Sequence, residues 1–400
     1  MCRVPVMTDL AAQGAARVDW IRSRMALLAA TRDELSVTRP FAGRRIGMSL
    51  HVEPKTAVLV ETLAAAGAEL IGTGNHGSTQ DDVVAYLNTL PGIEIVGRRD
   101  DDLDQHHANL AHVLDSGFDM VLDNGADLVA GLVARGTAAT VLGGTEETTS
   151  GGLRLRDDSE LAGRVPFPVI VINDSMLKAI GENRHAVGQS VVESLMRITN
   201  LMVPGRRFVV FGYGWCGRGV AQYLRALGGR VAVVEVDELK AFEAALDGYR
   251  VGSIDDFAEW GDVFITATGH PGVLPVKQIE RMHDGAVLAN CGHFPWEIDV
   301  AGLRSAATGS REIIDAVERI DLPSGRHVVL IADGRMFNLA GREPKGNSIE
   351  SMDLGFLLQT LSLERVATRA AELPAGAQPV PDDIERTIAR RFVAALSSAE

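Results

Sequence analysis

The sequence predicts an α/β protein of two doubly wound parallel-sheet domains with a short C-terminal helical tail, on three observations. Short apolar runs alternate with helix-period segments through both halves of the chain. Pro204 and Gly205 interrupt the alternation, and a glycine-rich turn follows the first strand of the second series. Such repetition calls for a parallel sheet covered on both faces, because parallel neighbours are joined by crossovers that place helices there. At 400 residues the chain is also too long for one ordinary domain.

In the first series "RRIGMSL" reads as a strand and "PKTAVLVETLAAAG" as a helix with Pro54 near its start, where the missing N–H costs nothing. "AELIGTG", "DDVVAYLNTL", "IEIV", "HHANLAHVLD" and "DMVLDNG" continue the alternation. "RVPFPVIVIND" is an apolar strand ending at Asp174, and "AVGQSVVESLMRITN" is a helix running up to Pro204. The second series is "RRFVVFG", "RGVAQYLRALGG", "RVAVVEVD", "ELKAFEAALDG", "VFITATG" and "AVLANCG". "SIESMDLGFLLQTLSLERVAT" is an amphipathic helix that returns to the first domain. "ELPAGAQPVP" reads as a linker, and "DDIERTIARRFVAAL" as a last helix that packs either in cis or on a neighbouring subunit. The expected domains are therefore 1–188 completed by 344–375, then 189–343, with 376–400 as linker and terminal helix.

Composition narrows the function. A formal charge of -14 argues against nucleic acid or an anionic membrane as partner, since both select clustered Lys and Arg. No apolar run approaches ~18 residues, and the N-terminus meets Asp9 before any long apolar stretch, which makes a poor signal peptide. Cys2, Cys216 and Cys291 lie too far apart for a disulfide framework or a zinc ligand set. "HHANLAH" reads as an exposed helix face rather than a metal site, so no metal is expected. The expected compartment is the cytoplasm.

Gly212, Gly214 and Gly217 form G-x-G-x-x-G between a strand and a helix. The first glycine makes the turn, the second admits pyrophosphate, and the third lets helix pack on strand. The helix N-terminus then offers N–H groups and a positive dipole end to the phosphates. Glu235, at the end of the next strand, is placed to bond ribose hydroxyls and to repel a 2′-phosphate. The second domain therefore reads as a Rossmann domain that takes NAD. A dehydrogenation also needs a proton acceptor, and "VINDSMLKAIGEN" offers Lys178 with Asn173, Glu182 and Asn183. Lys178 and Glu182 would share one face of an α-helix, and a desolvated lysine beside a carboxylate can act as a base. Spacing alone fits a solvated surface ion pair better.

Beyond these motifs, the chain resembles the S-adenosylhomocysteine hydrolase (adenosylhomocysteinase) family. "SLHVEPKTAVLVETLAAAGAEL", "GSTQDD", "EETTSGG", "VINDSMLK", "GYGWCGRG", "NCGHFPWEID", "FNLAG" and "SIESMDLGF" stand in the family's order and spacing. The resemblance implies NAD-dependent hydrolysis of a nucleoside thioether by transient 3′-oxidation, elimination, water addition and re-reduction, in a homodimer or homotetramer. It implies that Lys178 takes the 3′-hydroxyl proton, Glu147 and Glu182 hold the sugar, and Asn173 and Asn183 orient Lys178 and the cofactor. His51 would serve the 5′ leaving group and the entering water. Thr148, Thr149 and Asn338 would contact the nicotinamide end, and His293 would gate a channel.

Four departures qualify the resemblance. Asn124 stands where the family has the acid implicated in moving the C4′ proton, and an amide cannot accept a proton as a carboxylate does. "REPKGNS" replaces the family's Gly-His-Pro gate, with Asn347 near the position of the histidine. Glu53 and Lys55 replace Thr and Glu beside the base, and a lysine donor suits a 6-carbonyl purine such as inosine. The chain also lacks the Lys- and Tyr-containing tail of many relatives, like the shorter-tailed, archaeal-type branch. Two alternatives stay open: an enzyme acting on a different nucleoside, and an NAD-binding pseudoenzyme that regulates a partner.

Overall fold

In the computed structural model the chain forms two compact units, one from the chain up to Ala179 with the segment from Ile349 onward, the other from Ile180 to Ser348. The structure describes residues 9–292 and 295–397, so the expectation for His293 lies outside the described residues.

The first unit carries strands β1 (Arg45–Leu50), β2 (Glu69–Gly74), β3 (Ile93–Val96), β4 (Met120–Asp123), β5 (Gly143–Glu146) and β6 (Pro168–Val171). The second carries β7 (Arg207–Phe211), β8 (Arg230–Val234), β9 (Arg250–Gly252), β10 (Val263–Thr266), β11 (Ala286–Asn290), β12 (Gly309–Ile314), β13 (Val317–Asp321) and β14 (His327–Ile331). The last strand, β15 (Gly376–Pro379), belongs to the first unit.

The first sheet runs β15-β6-β5-β4-β1-β2-β3 and is parallel throughout. In the second, β9-β8-β7-β10-β11-β14 are parallel, and the hairpin β12–β13 extends the β14 edge in antiparallel fashion. Both sheets are thus wound outward in two directions from their first strand, and each has a switch point, between β1 and β4 and between β7 and β10.

β7 shows why these strands are almost wholly apolar. Phe208 and Val210 enter one core with Val220 and Leu224, while Val209 and Phe211 enter the opposite core with Phe264 and Leu288. A strand buried on both faces has no polar side to alternate with. In the first unit Ile46 and Met48 pack with Leu59 and Leu63, and with Leu357, Leu358 and Leu363 of the helix Ile349–Arg369.

The structure departs from the sequence reading in three places. The segment read as a linker carries β15, whose pairing with β6 aligns Gly376 with Pro168 and Gln378 with Ile170. Proline is tolerated at that edge because only one side of the strand needs donors. The helix Asp382–Ser397 packs in cis: it buries Ile384 and Ile388 in the first core, and Arg391 bonds Thr31 and Glu34. Finally, residues 178–186, where the Lys178–Glu182 spacing reads as α-helix, are π-helical. Such segments occur often at functional sites.

Candidate active site

In the first unit the carboxyl ends of five adjacent strands, β6, β5, β4, β1 and β2, lead into Asn173, Glu147, Asn124, His51 and Asn75 respectively. Crevices at the switch point of a parallel sheet are where such folds bind ligands, because the loops there part in opposite directions. Lys178 and Glu147 are both buried, and Lys178 Nζ donates to Glu147 Oε1. Lys178 and Glu182 are each buried, so the solvated surface setting that spacing alone suggested does not hold. The second oxygen of Glu147 accepts from Gln359 Nε2, on the returning helix.

Behind these groups lies a second pair of acids. Glu146 is wholly buried and accepts from Gly125 N (2.9 Å), Ala126 N (2.9 Å), Thr148 N (2.8 Å) and Thr148 Oγ1 (2.6 Å). It thereby holds the loops that carry Asn124 and Glu147. It also holds Ala126 at φ 60, a left-handed conformation that a side chain adopts only at a cost. Asp123 accepts from Asn124 N (3.0 Å) and Val129 N (2.9 Å). Burial, and secondarily the neighbouring Glu146, push the Asp123 carboxyl well above the usual range, and burial also raises Glu146. Thr148 caps the helix Thr149–Asp157, its Oγ1 accepting from Gly151 N at 3.0 Å.

His51 is set by a chain of hydrogen bonds. Ser78 Oγ donates its one hydrogen to Asn75 O (2.9 Å) and stands 2.7 Å from His51 Nδ1. Ser78 can then only accept from the ring, so Nδ1 carries the hydrogen and Nε2 is the basic nitrogen of the neutral imidazole. Asn75 Nδ2 donates to Asn124 Oδ1 at 3.1 Å. Lys55, second residue of the helix Pro54–Ala65, is buried with Nζ 3.0 Å from Glu53 Oε2.

In the second unit Gly212 turns at φ 89, and a Cβ on Gly217 would stand 2.0 Å from Gly212 O. A Cβ on Gly214, which precedes the helix Trp215–Ala226, would meet nothing within 4 Å. The first and third glycines are therefore required by the turn and the packing, while the second leaves open space at a helix N-terminus. Glu235, just past β8, accepts from Tyr213 N (2.6 Å), Val236 N (2.7 Å) and Asp237 N (3.0 Å), which ties the ribose-side loop to the glycine turn. These features fit a dinucleotide. Asn338 Nδ2 donates to Ser190 Oγ (3.2 Å), and Asn347 Nδ2 donates to Glu182 Oε1 (3.3 Å). Asn183 lies on the π-helical segment.

Sequence reading missed Ser78, Asn75, Glu146 and Gln359. The first two were legible only as part of a polar loop, and Glu146 was overshadowed by Glu147. Gln359 was hidden in an apolar helix, where its one signal is an amide among leucines.

Two sheets wound the same way, one with a dinucleotide turn at its switch point and the other with a buried Lys–Glu pair past the carboxyl ends of β5 and β6, define a nucleotide-dependent α/β enzyme. Residues 183–343 match the family model "S-adenosyl-L-homocysteine hydrolase, NAD binding domain", and residues 6–140 match "S-adenosyl-L-homocysteine hydrolase". The chain is 44% identical over 394 residues to the S-inosyl-L-homocysteine hydrolase of Methanopyrus kandleri, covering 95% of this chain and 90% of that protein. It is 42% identical over 387 residues to the adenosylhomocysteinase of Archaeoglobus fulgidus, covering 94% and 93%. It is 40% identical over 391 residues to that of Aquifex aeolicus, covering 97% and 93%. The chain belongs to the S-adenosyl-L-homocysteine hydrolase family, and its cofactor is NAD. No described helix is long and apolar enough to cross a membrane.

Proposed function

We propose that this protein hydrolyses S-adenosylhomocysteine or a close purine nucleoside thioether to the nucleoside and homocysteine. The observation that carries the reading is the buried Lys178–Glu147 pair at the carboxyl edge of a sheet, in a chain whose other unit is an NAD-binding domain. Bound NAD supplies reversible oxidation of the ribose 3′ carbon. Lys178, once it has lost its own proton, takes the 3′-hydroxyl proton, while Glu147 and Glu182 accept hydrogen bonds from the sugar. The 3′-ketone acidifies the C4′ hydrogen, and loss of that proton expels the 5′ thiolate. Water then adds at C5′, the C4′ proton is restored, and reduction of the ketone completes the turnover.

Asn124 cannot take the C4′ proton, and Asp123 is buried with its oxygens committed to backbone N–H groups. We assign the step to His51, whose Nδ1–H tautomer leaves Nε2 as the base. The resulting imidazolium protonates the departing thiolate, and the neutral ring then takes a proton from the entering water. The test is thiol release by NAD-loaded parent, His51→Gln and Asn124→Asp. The expected result is an active parent, a loss on the order of 10²–10⁴ in His51→Gln and continued activity in Asn124→Asp. A silent parent beside an active Asn124→Asp would overturn the assignment and indicate a frame diverted to another substrate.

A second reading, hydrolysis of S-inosylhomocysteine, is favoured by Lys55. A lysine only donates, and a buried one at a helix N-terminus opposes the local dipole; Glu53 offsets part of that cost. A donor of this kind suits an acceptor such as a 6-carbonyl. Comparing kcat/KM for the two thioethers decides between them. Family membership and the exposed face of Leu239, Phe242 and Leu246 also support a homo-oligomer, which light scattering tests.

A further inference from the structure

Gln359 is fully buried near the middle of the helix Ile349–Arg369, in a stretch that also buries Phe356, Leu357, Leu358 and Leu363. Burying an amide among such neighbours is costly unless its polar atoms are paired. Only half of this amide is paired among the described residues: Nε2 donates to Glu147 Oε2, whereas Oε1 is buried without a hydrogen-bond partner. An apolar side chain of similar size would suit the packing better. The residue is therefore explained by its donor and by the carboxylate that receives it.

That carboxylate is gripped from two sides. Oε1 accepts from Lys178 and Oε2 from Gln359, 212 residues away in sequence. Lys178 reaches Glu147 through flexible methylenes, which do not by themselves fix the plane of the carboxylate. Gln359 sits on a 21-residue helix locked into the first core by Leu357, Leu358 and Leu363, so its donor is a fixed reference point.

We propose that Gln359 is a positioning residue: it fixes the plane of the Glu147 carboxylate and, through it, places Lys178 Nζ for proton transfer from the sugar. The inference rests on the functional reading above and adds to it the role of the returning helix. Gln359 itself touches neither substrate nor cofactor in this account.

The test uses NAD-loaded Gln359→Met, which keeps the unbranched shape and removes the donor, with Gln359→Leu as a second variant should the first fold poorly. Steady-state thiol release is measured for each, alone and combined with Glu147→Gln. The expected result is a kcat lower by roughly 10- to 100-fold, the worth of one hydrogen bond to a charged group, with KM changed by less than about 3-fold. In the Glu147→Gln background the further loss shrinks to under about 3-fold, because the charged acceptor is already gone. A folded Gln359→Met variant within about 2-fold of parental kcat overturns the proposal. So does an equal loss in both backgrounds, which marks a packing role only. A parent that releases no thiol from either thioether overturns the functional reading and this proposal with it; an active parent with an unaffected variant overturns this proposal alone.

Discussion

Asp353 offers the most fully determined stability prediction. It lies on the helix Ile349–Arg369, and its carboxylate accepts from Leu27 N (2.9 Å) and Leu28 N (2.8 Å), in the first turn of the helix Ala26–Thr38. That helix has no side-chain cap from its own N-cap residue, Met25, so Asp353 caps it from 325 residues away. Burial pushes the Asp353 carboxyl up to about 6 from 3.8, against the two backbone bonds that pull it down. Its folded pKa thus exceeds its unfolded one, and the native state holds the proton more tightly. The contribution is fully present below about pH 4 and is lost as pH rises through 6. A shift of this size corresponds to about 3 kcal/mol. Asp353→Asn retains one acceptor and does not titrate. Urea unfolding of both proteins between pH 3 and 7 is expected to show the parent losing about 3 kcal/mol relative to the variant. Trp20, in the first unit, serves as the reporter, with the other three of the four tryptophans replaced by Phe. Stability curves that run parallel across that range would refute the reasoning.

Three further outcomes follow from the same geometry. Gly214→Ala should fold normally, since its Cβ meets nothing within 4 Å, yet bind NAD more weakly, whereas Gly217→Ala should destabilise the second unit because its Cβ would lie 2.0 Å from Gly212 O; calorimetry with and without NAD separates the two. Ser78→Ala removes the acceptor that sets the His51 tautomer, so thiol release should fall about 10-fold or more while NAD affinity is unchanged. Glu146→Gln turns one acceptor into a donor facing a backbone N–H, most favourably that of Ala126, which Oε2 alone receives. It should cost about 1–3 kcal/mol in denaturant unfolding, and a loss below ~0.5 kcal/mol would contradict the clamp drawn above.

Much of this molecule was legible before the structure because its strands are buried on both faces. Runs such as "RRFVVFG" and "RVAVVEVD" have no competing reading, and the glycine turn between them carries its own mechanics. β5 was illegible for the opposite reason. "GGTE" offers no apolar run, but a Cβ on Gly144 would stand 2.2 Å from Val121 O and one on Gly143 would stand 2.8 Å from Pro168 O. The glycines are there because neighbouring strands crowd the position, not because the chain bends. β15 was hidden by Pro379 and by an edge position that demands little hydrophobicity. The π-helical turn at Lys178 leaves no trace in composition. Sequence spacing pointed to Glu182; the fold adds Glu147, bonded to Lys178, and Gln359, bonded to Glu147. Gln359 shows the general limit: a partner 212 residues away is set by how a helix returns, which no local pattern encodes.

The central claim is that the Lys178–Glu147 pair performs proton transfer in cleavage of a nucleoside thioether. The most direct measurement is thiol release from S-adenosylhomocysteine and from S-inosylhomocysteine by the NAD-loaded parent and by Lys178→Met, with NAD content determined in both. The account predicts release from at least one thioether by the parent and a loss on the order of 10²–10⁴ in the variant with NAD still bound. Silence of the parent toward both substrates, or undiminished release by Lys178→Met, would contradict it.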